Sequence, residues 1–261
     1  MSEHVVSTAT AKVHYTRQGS GPGLLLVHGT SATGEDNFGH LLPELTGGHT
    51  VLLPDYAGSG RTLDDGGPLT IEQLSDQMIA VIEDAAVGPV DLLGFSLGAT
   101  VAATVAARRP DLVRRLILLA GFAAVRHPKD VLAFQTWRAL ADIDPQLYLR
   151  YSLSVAFSPA YLERAGSENL EHEIAAALPV TDGTKRQIDL DLTVDITALL
   201  PKITAPTLVV AGTHDTLVSP WNSRELHGGI AGSEYTEIDS GHVVPVEQPA
   251  ELVAVMKRFF A

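Results

Sequence analysis

The sequence contains no cysteine, which excludes a disulfide framework, a thiolate metal site and a cysteine nucleophile together. Positive charge is scarce as well: 18 Lys and Arg stand against 31 Asp and Glu, a formal net charge of -13. No basic cluster exceeds the pairs Arg108-Arg109 and Arg114-Arg115, so phosphate backbones and anionic lipid are repelled, and neither nucleic acid nor a membrane is an expected partner. Long apolar runs are missing too. The longest, Leu116 to Val125, is about half of what a membrane span needs and reads as a buried strand entering a loop. The start, Met1-Ser2-Glu3-His4, has neither the basic segment nor the apolar core of a signal peptide, so a cytoplasmic location is expected. There is no His-Glu-x-x-His pattern, and His172 lies in the acidic stretch Glu168 to Glu173, which reads as an exposed helix. No metal and no cofactor are therefore expected, and chelators should leave activity unchanged. Oligomeric state leaves no signature.

What is present is a globular composition, 45% hydrophobic and 19% charged over 261 residues, long enough to bury a core without staples. Short apolar runs recur at Leu24 to Val27, Val51 to Leu53, Val90 to Leu93, Leu116 to Leu119 and Thr207 to Val210, most of them closed by Gly or Pro. Runs of this kind predict strands buried on both faces. Helix-like segments separate several of them. Leu69 to Ala86 places Ile71, Leu74, Met78 and Ile82 at helical spacing, and Leu97 to Arg109 is alanine-rich and stopped by Pro110. Alternating strands and helices predict an α/β fold with a parallel sheet and right-handed crossovers. Val5 to Thr16 alternates and predicts an antiparallel edge hairpin. Phe122 to Leu200 breaks the rhythm, with helix-like pieces at Val131 to Ala141 and Gln146 to Ser154 but no core strand. It predicts an insertion over one end of the sheet.

The segment Gly94-Phe95-Ser96-Leu97-Gly98 follows the run Val90-Asp91-Leu92-Leu93 and has the pattern of a nucleophile elbow. A serine hydroxyl is a poor nucleophile at neutral pH unless held on a tight turn beside a base and oxyanion donors. Three fixed positions of this composition arise by chance in roughly one such chain in ten, so context must decide. In a parallel sheet the loops leaving the carboxyl ends of strands gather along one edge. Ser96 sits in such a loop. Thr207 to Val210 runs into Ala211-Gly212-Thr213-His214-Asp215, and Tyr235 to Ile238 runs into Asp239-Ser240-Gly241-His242. Asp215 is thus the candidate orienting acid and His242 the candidate base, in the order serine, acid, histidine expected for this elbow. Asp55, in a glycine-rich loop, reads as a structural turn residue, and His28, His172 and His214 read as packed or solvated. The oxyanion donors need only main-chain N–H groups. Leu97 supplies one, and Thr30, after His28-Gly29, supplies the other.

The chain resembles the α/β-hydrolase superfamily over essentially its whole length, through His28-Gly29, Asp55 with Gly58 and Gly60, Gly94 to Gly98, Asp215, and His242 leading into Val243-Val244-Pro245-Val246-Glu247-Gln248-Pro249. The resemblance implies a mostly parallel central sheet flanked by helices, with residues 1–121 and 201–261 as the core and residues 122–200 as a helical cap inserted before the penultimate core strand. By size and cap placement the chain is similar to enol-lactonases, small-molecule esterases and carbon–carbon bond hydrolases. Epoxide hydrolases and haloalkane dehalogenases carry aspartate where this chain has Ser96. Perhydrolases often carry Met and an aromatic residue where it has Leu97 and Thr30. The expected activity is cleavage of a small carboxylic ester or lactone through an acyl-enzyme. Thioesterase, carbon–carbon hydrolase and a non-hydrolytic enzyme or receptor on the same scaffold are the alternatives. Phe134, Trp137, Tyr148, Tyr151 and Phe157 are the candidate pocket residues.

Overall fold

The computed structural model describes residues 1–261. Nine strands form one sheet: β1 Ser2–Ser7, β2 Ala11–Gly19, β3 Gly23–Val27, β4 Thr50–Pro54, β5 Leu63–Asp64, β6 Val90–Phe95, β7 Val113–Leu119, β8 Thr207–Gly212 and β9 Glu234–Ile238. Their spatial order is β1-β2-β4-β3-β6-β7-β8-β9, with the short β5 paired to β2. From β4 through β9 the pairs are parallel, whereas β1, β2 and β5 join by antiparallel pairing. The edge hairpin and the mostly parallel sheet expected from the apolar runs are both present.

The continuous apolar runs are explained by two cores, one on each face. Successive residues of a strand point to opposite sides, so Leu25 and Val27 of β3 enter one core while Leu24 and Leu26 enter the other. Leu116 and Leu118 of β7 divide from Ile117 and Leu119 in the same way. The helix Ile71–Ala85 buries Leu74, Met78, Val81 and Ile82 on the first face. Its start is fixed by reciprocal bonds, the Gln73 N–H to Thr70 Oγ1 at 3.2 Å and the Thr70 N–H to Gln73 Oε1 at 3.0 Å. The helix Leu97–Arg108 is buried from Leu97 to Ala106, which its alanines permit because they let the strand and the neighbouring helix approach closely. The helix Pro249–Phe259 covers the other face through Leu252, Val253, Val255 and Met256.

Between β7 and β8 lie five α-helices, Pro128–Ile143, Pro145–Ala156, Pro159–Ala165, Ser167–Ala175 and Asp182–Thr193, and the 3-10 helix Thr197–Lys202. An isolated bridge between Ala124 and Asp195 closes the base of this excursion. No helix of the chain is long and apolar enough to cross a membrane.

Candidate active site

Four loops converge at the carboxyl edge of the parallel strands. The turn after β6 carries Ser96 with φ 56° and ψ -122°, a conformation strained for a non-glycine residue. The flanking glycines make that turn possible. A Cβ on Gly94 would stand 2.1 Å from the Gly98 carbonyl oxygen, and one on Gly98 would stand 2.2 Å from the Val27 oxygen and 2.3 Å from the His28 oxygen. The helix therefore starts hard against the loop after β3, and the serine is thrust out of the turn.

The loop after β8 brings Asp215 to the loop after β9, and the two are tied by the Thr213 N–H to the Ile238 oxygen at 2.9 Å and the His214 N–H to the Ser240 oxygen at 2.8 Å. Asp215 Oδ2 accepts from His242 Nδ1 at 2.6 Å, while Oδ1 accepts the N–H groups of Leu217 at 3.0 Å and Val218 at 2.8 Å. With its Nδ1 proton given to the carboxylate, a neutral His242 has Nε2 free as an acceptor. That nitrogen lies 3.0 Å from Ser96 Oγ. The three residues are 6%, 5% and 4% exposed for Ser96, Asp215 and His242, so their charges act in a poorly screened setting. The His242 ring is further held by Phe95, with centroids 5.0 Å apart.

Facing Ser96 is the loop His28-Gly29-Thr30. As the first helical residue, Leu97 has an N–H with no intrahelical acceptor, and the Thr30 N–H donates to no group of the protein. The loop is braced by Asn37, whose Oδ1 accepts the Gly29 N–H at 2.9 Å. His28 is fully buried, stacks on Tyr56 at 3.8 Å, and bonds the Gly29 oxygen through Nδ1 at 2.7 Å. Desolvation pulls its pKa down to about 4, which keeps it neutral at physiological pH. Asp55 Oδ1 accepts the Gly34 N–H at 3.0 Å and joins neighbouring loops rather than reaching Ser96. His214 pairs with Asp239 at 2.8 Å on the surface, and His172 is exposed.

A cavity of about 110 Å³ opens on Ser96 and His242, walled by Phe95, Leu217, Trp137, Ser152 and Ala156. Of the five aromatic residues expected along a pocket, Trp137 alone lines it. Phe134 packs edge-on between Phe122 and Trp137, Tyr148 stacks on Trp137 and bonds Ser31, the Tyr151 hydroxyl donates to the Ala133 oxygen, and Phe157 stacks on Tyr161. These rings build the packing of the helices over the sheet. A larger cleft of about 500 Å³ lies beside the loop after β3 and is lined mostly by polar residues. Its cation, Arg186, is already engaged by Asp64 and the Gly67 oxygen, and it does not include Ser96, so the smaller cavity is the one that meets Ser96 and His242. No group of three or more His, Asp or Glu side chains is arranged to hold a metal ion.

Sequence reasoning missed Glu247, Asn37, Gln187 and Asp191. Glu247 Oε1 accepts the Gly241 N–H at 3.0 Å, next to His242, and a Cβ on Gly241 would meet that oxygen at 2.6 Å. No local pattern announces such partners: Asn37 and Glu247 take N–H groups eight and six residues away, and Gln187 and Asp191 reach the Ser31 N–H and the Thr30 hydroxyl from more than 150 residues along the chain.

A sequence profile described as the Alpha/beta hydrolase family matches residues 24–255. A protein named pyrrolizixenacetamide deacetylase, from Xenorhabdus hominickii, is 38% identical over 97% of this chain and 96% of its own length. The pimeloyl-acyl-carrier-protein methyl ester esterase of Neisseria meningitidis is 29% identical over 90% of this chain and 91% of its own. The solved enol-lactonase from Burkholderia xenovorans LB400 has a TM-score of 0.87, with 23% identity, over 98% of this chain and 99% of that one, a likeness of fold.

Proposed function

The chain belongs to the alpha/beta hydrolase family and is a hydrolase, and from that premise we propose that it removes a short acyl group from a small ester or amide by way of an acyl-serine. The observation that carries this reading is the unbroken line of hydrogen bonds from Asp215 through His242 to Ser96, ending in a cavity of about 110 Å³. Ser96 Oγ attacks the carbonyl carbon and its proton passes to His242 Nε2. Asp215 stabilises the resulting imidazolium. The oxyanion is received by the N–H groups of Leu97 and Thr30. His242 returns the proton to the departing oxygen or nitrogen as its bond to the acyl carbon breaks. Water then gives a proton to His242 and attacks the acyl-enzyme, which releases the acid and restores Ser96.

A volume of about 110 Å³ is several-fold below that of pockets for drug-sized ligands and matches an acetyl-sized acyl group with its attacking water. The relative named as a deacetylase supports the same size class and extends the leaving group from alcohols to amines. The helices from Pro128 to Thr193 act as the cap, residues 122–200, on a core formed by residues 1–121 and 201–261. Trp137, Ser152 and Ala156 are the cap's contribution to the acyl site.

The test is a series of p-nitrophenyl esters and N-acyl arylamines of rising acyl length, with Ser96→Ala as the blank. Activity should be highest with acetyl and lost as the chain lengthens. Ser96→Ala should lose at least about a thousandfold, and a smaller loss would contradict the covalent route. A fluorophosphonate should add to Ser96 by mass.

A further inference from the structure

The helix Asp182–Thr193 reaches the oxyanion loop with two side chains one turn apart. Asp191 Oδ2 accepts from Thr30 Oγ1 at 2.8 Å, and Gln187 Oε1 accepts the Ser31 N–H at 3.1 Å. From the helix Pro145–Ala156, the Tyr148 hydroxyl meets Ser31 Oγ at 2.8 Å. Ser31 has φ 66°, so the chain reverses immediately after Thr30 in a conformation that costs energy outside glycine. That reversal is secured from outside, by the helices above the sheet. Gln187 is itself pinned, with Nε2 donating to the Ala57 oxygen at 3.2 Å and to Ser59 Oγ at 2.8 Å.

Asp191 is placed at evident cost to the fold. It is 1% exposed and its Oδ1 has no hydrogen-bond partner. No cation faces it, since Lys185 and Arg186 of the same helix are engaged with Asp142 and Asp64. Its other titratable neighbours are phenols, Tyr56 and Tyr148, both raised by burial, Tyr148 to about 12. Desolvation carries the Asp191 carboxyl up to about 8. A helix needing only to pack there would be better served by leucine, and departures of this kind concentrate where function requires them.

We propose that Asp191 is a positioning residue: by holding the Thr30 hydroxyl it turns the Thr30 N–H toward the reacting carbonyl, so that the oxyanion hole is complete only while the helix Asp182–Thr193 is seated. The proposal rests on the acyl-serine reading. Removing one donor from such a hole costs about 100- to 1000-fold in kcat, and misplacing one costs less.

The experiment measures kcat and KM on p-nitrophenyl acetate, and the rate of fluorophosphonate addition to Ser96, for Thr30→Val, Asp191→Leu, Asp191→Asn and the double variant Thr30→Val/Asp191→Leu. Thr30→Val and Asp191→Leu should each lower kcat and the labelling rate by about 10- to 100-fold, with KM moving by less than about threefold. Asp191→Asn keeps an acceptor for the Thr30 hydroxyl and should recover most of what leucine loses. The double variant should be no worse than the poorer single, because both changes break one contact. Wild-type kcat in Thr30→Val, multiplying losses in the double variant, or a loss confined to KM would each overturn the proposal. Thr30→Val and Asp191→Asn decide it even if the leucine variant does not fold. Absence of any adduct on wild-type Ser96 would instead remove the acyl-serine reading beneath it.

Discussion

Glu247 and Ser158, 89 residues apart, are joined by two hydrogen bonds: the Ser158 hydroxyl donates to Oε2 at 2.5 Å and its N–H to Oε1 at 3.0 Å. The same Ser158 oxygen accepts the Tyr161 N–H at 3.1 Å and so caps the helix Pro159–Ala165. With the Gly241 N–H also on Oε1, one carboxylate sets the height of the His242 loop against the helices above it. Bonds to a buried charged acceptor are worth about 1.5–3 kcal/mol each. Glu247→Ala should therefore lower unfolding stability by about 2–4 kcal/mol in urea titrations and reduce kcat more than it raises KM. An unchanged midpoint together with unchanged kcat would show that His242 is located by other means.

Glycine substitutions separate the elbow from ordinary glycine positions. Gly98→Ala drives a methyl into the Val27 and His28 oxygens at 2.2 and 2.3 Å and should cost more than about 2 kcal/mol as well as activity. Gly228, within the helix Pro220–Gly229, has nothing within 4 Å of a built Cβ, and Gly228→Ala should stabilise by about 0.5–1 kcal/mol. Thermal melts of the two variants side by side check both signs.

Acid sensitivity should trace to His28. Its folded pKa of about 4 lies below the ordinary 6.5, so between these values the unfolded chain binds the extra proton and stability falls as the pH drops. Urea midpoints compared between about pH 7 and about pH 5 should fall less steeply in His28→Gln than in wild type. Equal slopes would exclude His28 as the source.

Asp191 should act with the opposite sign. Its folded pKa of about 8 lies above the ordinary 3.8, so the native state holds the extra proton within that window and stability falls as the pH rises through it, levelling above about 8. Asp191→Asn should thus gain on wild type steadily with rising pH, by several kcal/mol across the window. A pH-independent difference between the two proteins would mean that Asp191 ionises normally.

Acyl-length selectivity should reside in Trp137, which meets the cavity while its Nε1 donates to Ser152 Oγ at 2.8 Å. Trp137→Ala should shift the preferred ester toward longer chains, read as the ratio of kcat/KM for butyrate over acetate. A ratio left at its wild-type value would place the length limit elsewhere.

The sheet and the three hydrogen-bonded side chains at its edge were legible because each is announced locally. An apolar run, a glycine and then a polar residue recur at Ser96 and Asp215, His242 follows a glycine after the strand-like Tyr235 to Ile238, and chain order does the rest. The pocket was not legible, since helical spacing makes Phe134, Trp137, Tyr148 and Tyr151 equivalent until it is known which face of each helix meets the cavity. Asp191 was hidden for a related reason. Between Leu190 and Leu192 a carboxylate reads as the solvated side of an amphipathic helix, and only the loop after β3, packed against it, reveals it as buried.

The main-chain oxygen of Ala156, at the end of the helix Pro145–Ala156, accepts the N–H groups of His242 at 2.6 Å and Val243 at 3.3 Å. Nearby, the Thr216 hydroxyl donates to the Val155 oxygen at 2.9 Å, and Asp130 takes Ser219 and Asn222 at 2.9 and 2.7 Å. The segment between β7 and β8 is therefore no exchangeable cassette. Grafting a relative's segment to import its selectivity would shift the backbone acceptor against which the histidine loop is moulded, so a productive chimera must carry the Ser240–Gln248 stretch across with it.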